Sequence, residues 1–259
     1  MLTQEFILSD AHAHLESYEP VALEETIKRA KANGIGIIIA NGITLGSSSK
    51  TVEIANRYDC IWATVGIHPW YAVRLGNRVA SVKDLALNEC VVGIGEIGLD
   101  FARDPETKES QMELFEEQLK LARALELPVV VHTDGADQET GEAIIRNGTQ
   151  ETGAILQGFT GDFASLKDWL DLEFYISIGW RILKPGNESL AAAIQQIPSE
   201  KLLIETDAAA RRTISQGLEL ATLKPIAEKV AEIRKVPIED IARVTTNNLK
   251  KVFRFKGNQ

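Results

Sequence analysis

The sequence predicts an α/β protein, a single-domain (β/α)8 TIM barrel over residues 1–259, and three observations support this. Eight short runs rich in Val, Ile and Leu recur along the chain. They are nearly continuous in apolarity, as strands covered on both faces are, and segments of helical period stand between them. Strict alternation of strand and helix favours parallel pairing, and eight units favour closure over an open doubly wound sheet. The open sheet would carry a glycine-rich phosphate turn after its first strand, where this chain has His-x-His.

The first strand, Phe6–His14, ends in Asp10-Ala11-His12-Ala13-His14, with two of the four histidines at i and i+2. In an extended strand those imidazoles share a side, and a divalent metal between them gives the pair a reason to be there. Helical period over Val21–Asn33 precedes the strand Gly34–Gly42 and the helix Ser48–Tyr58. The third strand, Ile61–His68, ends in a histidine, and the fourth, Val91–Asp100, carries Glu96 and Asp100. Pro105 with Glu106 opens a helix running to Leu127, since proline suits the first helical position. Strand Leu127–His132 ends in the last histidine. Helix Gln138–Asn147, strand Gly153–Thr160, helix Phe163–Leu172, strand Phe174–Trp180 and helix Ser189–Ile197 lead to the eighth strand, Leu202–Asp207. Two more helices follow, at about Leu218–Lys235 and Ile238–Phe253.

Every histidine therefore falls at the C-terminal end of a strand, with Glu96, Asp100 and Asp207, and that is the rim where such barrels collect their chemistry. Parity adds to this. In Val92-x-Ile94-x-Glu96 and Val130-x-His132 the polar residue shares its face with apolar neighbours, so these side chains are expected to point inward. Interior imidazoles and carboxylates are costly to desolvate without mutual hydrogen bonds or a cation. Nitrogen and oxygen donors together suit zinc, manganese, iron, cobalt or nickel, with magnesium less comfortable.

Composition sets limits on partners. The formal charge of −9, from 37 acidic against 28 basic residues, disfavours a broad grip on nucleic acid, so no basic groove for tight duplex binding is expected. No apolar run of about 18 residues and no leader-like N-terminus are present, which points to a soluble, cytoplasmic protein without a membrane partner. Cys60 and Cys90 read as small core residues in a reducing compartment. Trp70, Tyr71, Phe101 and Trp180 lie at the rim; they could stack a base, and packing of loops is the preferred reading.

These motifs resemble the TatD family of metal-dependent hydrolases, within the amidohydrolase-like barrels, over nearly the whole chain. The likeness is carried by Asp10-Ala11-His12-Ala13-His14-Leu15, Gly66-Ile67-His68-Pro69, Gly95-Glu96-Ile97-Gly98-Leu99-Asp100, Pro128-Val129-Val130-Val131-His132, Gly158-Phe159-Thr160-Gly161, Glu205-Thr206-Asp207 and Thr246-Asn247-Asn248. The resemblance implies a metallo-dependent hydrolase barrel with one or two divalent metals, acting on phosphodiesters as a deoxyribonuclease. It makes His12, His14 and Asp207 ligands of one metal, with Glu96 shared between two and His132 on the second. Asp207 would also take the proton from a metal-bound water. Asp10 and Glu205 lie a layer deeper and suit fixing ligand orientation and imidazole tautomers.

Three positions depart from the family pattern. Gln157 stands where the family usually has histidine, and a carboxamide is a weak ligand, so one firm site and one labile site are expected. Thr133-Asp134 replaces Ser-Arg, exchanging a phosphate-gripping cation for a carboxylate. Ala208-Ala209-Ala210-Arg211-Arg212 replaces a proline-bearing segment and adds two cations. His68, Asp100, Asp134, Arg211 and Arg212 are the candidate substrate contacts, His68 also as a proton relay. The substrate is expected to be single-stranded nucleic acid or a small molecule. The rival readings are an amidohydrolase-like enzyme acting on a small ester, amide or lactone, and a non-catalytic barrel with a weakened second site.

Overall fold

The computed structural model describes residues 6–148, 151–209 and 217–255. Eight strands form one sheet in chain order: β1 (Leu8–Ala13), β2 (Ile35–Asn41), β3 (Ile61–Val65), β4 (Val91–Asp100), β5 (Val129–Asp134), β6 (Ala154–Leu156), β7 (Tyr175–Ile178) and β8 (Leu202–Ile204). Pairing is parallel from β3 through β6 and between β7 and β8. A parallel bridge between Ala13 and Ala208 joins the end of β1 to the segment after β8. This is the strand order of a (β/α)8 barrel, as the alternating pattern predicts.

Several strands are shorter than their apolar runs. β3 stops at Val65 instead of His68, and β8 at Ile204 instead of Asp207. The residues beyond have left the ladder to turn: Asp207 has φ 52° and Gly158, just past β6, has φ 58°. Within β4 the register slips, because Ile94 faces Val129 while Ile97 faces Val131, three steps against two. Strict alternation thus breaks at a bulge around Glu96, so the parity that put Glu96 on the face of Val92 and Ile94 does not by itself set its direction.

The helices are α1 (Pro20–Ala32), α2 (Leu45–Arg57), α3 (Ala72–Leu75), α4 (Val79–Ala86), α5 (Lys108–Ala124), α6 (Asp137–Asn147), α7 (Phe163–Asp171), α8 (Glu188–Gln196), α9 (Leu223–Arg234) and α10 (Ile238–Phe253). Thr44 and Ser47 form a capping box that starts α2. Between β3 and β4 the periodicity singles out no helix, and the structure has α3 and α4 there. The long helix expected from Pro105 begins instead as a 3-10 turn, Pro105–Thr107, before α5. No described helix is long and apolar enough to cross a membrane.

The chain divides into two compact units. In the first (Met1–Ile39, Gln157–Leu170, Tyr175–Lys251), α10 pins strand beginnings: Thr246 Oγ1 donates to the Ile7 carbonyl, and Asn248 Nδ2 donates to the carbonyls of Ser199 and Leu202. That accounts for the polar Thr246-Asn247-Asn248 motif on a packed helix. In the second (Ala40–Leu156, Asp171–Phe174, Val252–Gln259), two buried glutamines of α5 clamp strand ends. Gln118 bonds both the N–H (2.7 Å) and the carbonyl (2.9 Å) of Ile67, and Gln111 bonds both those of Asp100 at 2.8 and 3.2 Å. Each clamp sits next to a chemically interesting residue, His68 and Asp100 themselves. Cys60 and Cys90 are half-buried, more open than expected of core residues, and neither is in a disulfide.

Gly98 has φ 140°, and a Cβ there would lie 1.9 Å from the His132 carbonyl oxygen. β4 and β5 can only approach so closely without a side chain at this point. Gly98→Ala is expected to lower unfolding stability by about 3 kcal/mol, read by denaturant titration. A wild-type midpoint would refute the fit.

Candidate metal centres

The first unit gathers His12, His14 and Asp207, all buried, with one donor atom from each within 4.8 Å of the others. His12 Nε2 and His14 Nε2 are 3.1 Å apart, and His14 Nε2 is 3.4 Å from Asp207 Oδ1. Two imidazole nitrogens and a carboxylate oxygen converging in a buried space is the donor set that a borderline divalent cation prefers, so the residues present fit such an ion.

Backbone pairing holds these three together. Asp207 N–H donates to the His12 carbonyl at 2.9 Å, and His14 N–H to the Ala208 carbonyl at 2.8 Å. Beneath them Asp10 accepts from the His12 N–H, the Thr206 N–H and, at 2.6 Å, the Thr206 hydroxyl. Burial pushes the Asp10 carboxyl up to about 7, against the hydrogen bonds from Thr206 and His12. Asp10 thus orients the ligand strand through its backbone, and its bonds are not to the imidazole rings whose tautomers it was expected to fix. Glu205 is fully buried, and with Asp207 it lines a small cleft beside Gly158, Gly179, Trp180 and Arg181.

The second unit gathers His68, Glu96 and His132, again all buried. Glu96 Oε1 lies 3.5 Å from His68 Nε2 and 3.3 Å from His132 Nδ1. The two rings are held differently. His132 Nε2 lies 3.2 Å from Asp100 Oδ2; with one proton directed there, a cation would take Nδ1 in place of the second proton that the ring otherwise holds toward Glu96. His68 Nδ1 accepts the Trp70 N–H at 3.3 Å, so in the neutral ring Nε2 carries the proton and donates toward Glu96. His68, Glu96 and His132 together are a donor group that could hold an ion.

Asp100, a candidate substrate contact, accepts from His132, from Trp70 Nε1 and from the Arg103 N–H. Burial alone would raise its carboxyl, but those bonds hold it well below the usual carboxylate range. Burial would likewise lower His132, and its bonds to Asp100 and Glu96 overcome this and lift it to about 9. Asp100→Asn is expected to weaken metal binding at His132 by about 10–100-fold in calorimetric titration. Unchanged metal affinity with a raised KM would return Asp100 to the substrate.

Gln157 is buried one residue past β6, and Asp134 is exposed at the end of β5. Arg211 and Arg212 lie outside the described residues. Phe101 and Trp180 are buried, as the packing reading expects. Trp70 is 38% exposed and touches His68, a role that only its place after His68-Pro69 hinted at.

The chain matches the family described as TatD related DNase over residues 9–254. It is 33% identical over 255 residues to the uncharacterized metal-dependent hydrolase YabD of Bacillus subtilis, covering 96% of this chain and 100% of that protein. To the 3'-5' ssDNA/RNA exonuclease TatD of Edwardsiella piscicida it is 34% identical over 241 residues, covering 89% and 93% of the two chains. The solved TatD homolog YjjV of Escherichia coli superposes with a TM-score of 0.85 at 27% identity, covering 97% of this chain and 99% of that one.

Proposed function

This chain belongs to the TatD-related DNase family of metal-dependent hydrolases, and from that premise we propose that it hydrolyses phosphodiester bonds of single-stranded nucleic acid. The observation that carries the reading is the buried convergence of His12, His14 and Asp207. These three would hold one divalent ion, and His132 with Glu96 a second, more labile one; Gln157 keeps its proposed role as a weak metal ligand. Zinc, manganese, cobalt, nickel, iron and magnesium are the candidates.

When bound, such ions supply charge that polarises the phosphoryl oxygens and acidifies the attacking water. Asp207, held in place by its N–H bond to the His12 carbonyl, would accept the proton of the attacking water at a carboxylate oxygen. His68 presents an Nε2–H, kept in that tautomer by the Trp70 amide, as a donor to a phosphate oxygen or to the leaving group. Asp100 keeps His132 aimed. Asp134, Arg211 and Arg212 remain proposed substrate contacts from the loops.

The test is a 5'-labelled single-stranded DNA decamer incubated with magnesium, manganese, cobalt or zinc. Stepwise shortening from the 3' end, the direction in the name of the Edwardsiella relative, is expected with at least one metal. No cleavage with any of them overturns the reading. The charge of −9 and the exposed Asp134 favour a second reading, hydrolysis of a small ester, amide or lactone; a panel in which only those turn over decides for it.

A further inference from the structure

In the second unit, at the mouth formed by the ends of β3 and β4, Arg103 lies over Trp70 with its guanidinium carbon 3.9 Å from the ring centroid. Trp70 is itself packed on the candidate site, its ring 4.4 Å from that of His68 and 6.3 Å from that of His132. The turn is fixed at both ends: the Arg103 N–H donates to Asp100 Oδ1, and the Phe101 and Ala102 N–H groups donate to the Asp134 carbonyl. Among the described residues no carboxylate pairs with the Arg103 side chain, which is exposed.

We propose that Arg103, stacked on Trp70, is an anion-binding residue that grips a phosphate of the substrate beside the His68–Glu96–His132 group. A guanidinium held over an aromatic face keeps its N–H donors in its own plane, where they can meet two phosphate oxygens at once. Stacking also removes much of the freedom that a long exposed side chain otherwise loses on binding. The Asp100 carboxylate does not compete, because it is already bonded to His132, Trp70 and the Arg103 amide. In a chain of net charge −9, one cation anchored at the lip of a buried site gives local attraction to an anion that the surface as a whole lacks.

This inference rests on the phosphodiesterase reading, so binding and turnover are measured separately. A fluorescent phosphorothioate oligothymidylate decamer is titrated into the metal-loaded protein at several KCl concentrations, beside kinetics on the ordinary oligothymidylate. For Arg103→Gln, binding is expected to weaken about tenfold, the loss of one charge-assisted contact. The slope of log affinity against log salt should become shallower by about 0.7, as for one phosphate contact on a single strand. KM should rise with kcat nearly unchanged. Trp70→Leu, which removes the platform and leaves the cation, should weaken binding in the same direction. Equal affinity and slope for wild type and Arg103→Gln overturn the proposal even if the wild type cleaves DNA. So does a weakened variant whose metal affinity falls in parallel, since Arg103 would then act only by holding Trp70. A wild type that binds the decamer through Arg103 yet cleaves no phosphodiester leaves this inference standing and removes the activity.

Discussion

Asp207→Asn is expected to lower kcat on single-stranded DNA by about 10²–10⁴-fold at saturating metal, the range that a positioned general base contributes. Asparagine keeps the shape and one oxygen, so the N–H bond to the His12 carbonyl and the turn at φ 52° survive. What is lost is the charge and the basicity. The same carboxylate lies 3.4 Å from His14 Nε2 and is a candidate ligand, so metal affinity at the first group should fall too. For that reason kcat is to be read across a metal titration. If activity returns to the wild-type level once metal is in excess, Asp207 is a ligand and the proton goes elsewhere.

Chelation is expected to lower the melting temperature by about 5–10 °C per filled site. Metal at about 100 times its Kd stabilises the native state by about 2.7 kcal/mol, and a chain of this length moves about 2–4 °C per kcal/mol. The donors of the first group are buried, so an ion bound by them would belong to the folded state. In His12→Ala the part of the shift due to that group should vanish, while the part due to His132 and Glu96 remains. A melting temperature indifferent to chelator and to added zinc or manganese would speak for a barrel that has kept the shape and lost the ion.

Strand positions were legible because parallel strands buried on both faces must be apolar almost throughout, and β4 occupies the stretch its composition marks, Val91–Asp100. The ends were less legible. His68 and Asp207 look like strand-terminal residues, yet both stand in turns after β3 and β8, where local hydrogen bonds replace the ladder. The histidine, Glu96 and Asp207 set declared itself by residue type. The division of labour within it did not, because it depends on which ring nitrogen is occupied: Trp70 N–H on one side of His68, Asp100 on the far side of His132. The bond from Asp100 to His132 was illegible for the same reason, since a carboxylate at a strand end has no mark in sequence telling that it lies beside a neighbouring imidazole. Trp70 stood out as a rim aromatic, but nothing in the sequence told that it packs on His68, and Arg103 carried no signal that distinguished it from an ordinary loop residue.

The bond between the Asp10 carboxylate and the Thr206 hydroxyl joins residues 196 positions apart, which sets an order of events during synthesis. At about 5–20 residues per second the His12–His14 pair waits about 10–40 s for its carboxylate partner to leave the ribosome. Through that interval Asp207, the third donor of the proposed group, is not yet beside the two imidazoles. On the proposed ligand set, an ion captured then would be held by half a site and would exchange freely, and the ion retained would be the one present when the eighth strand arrives.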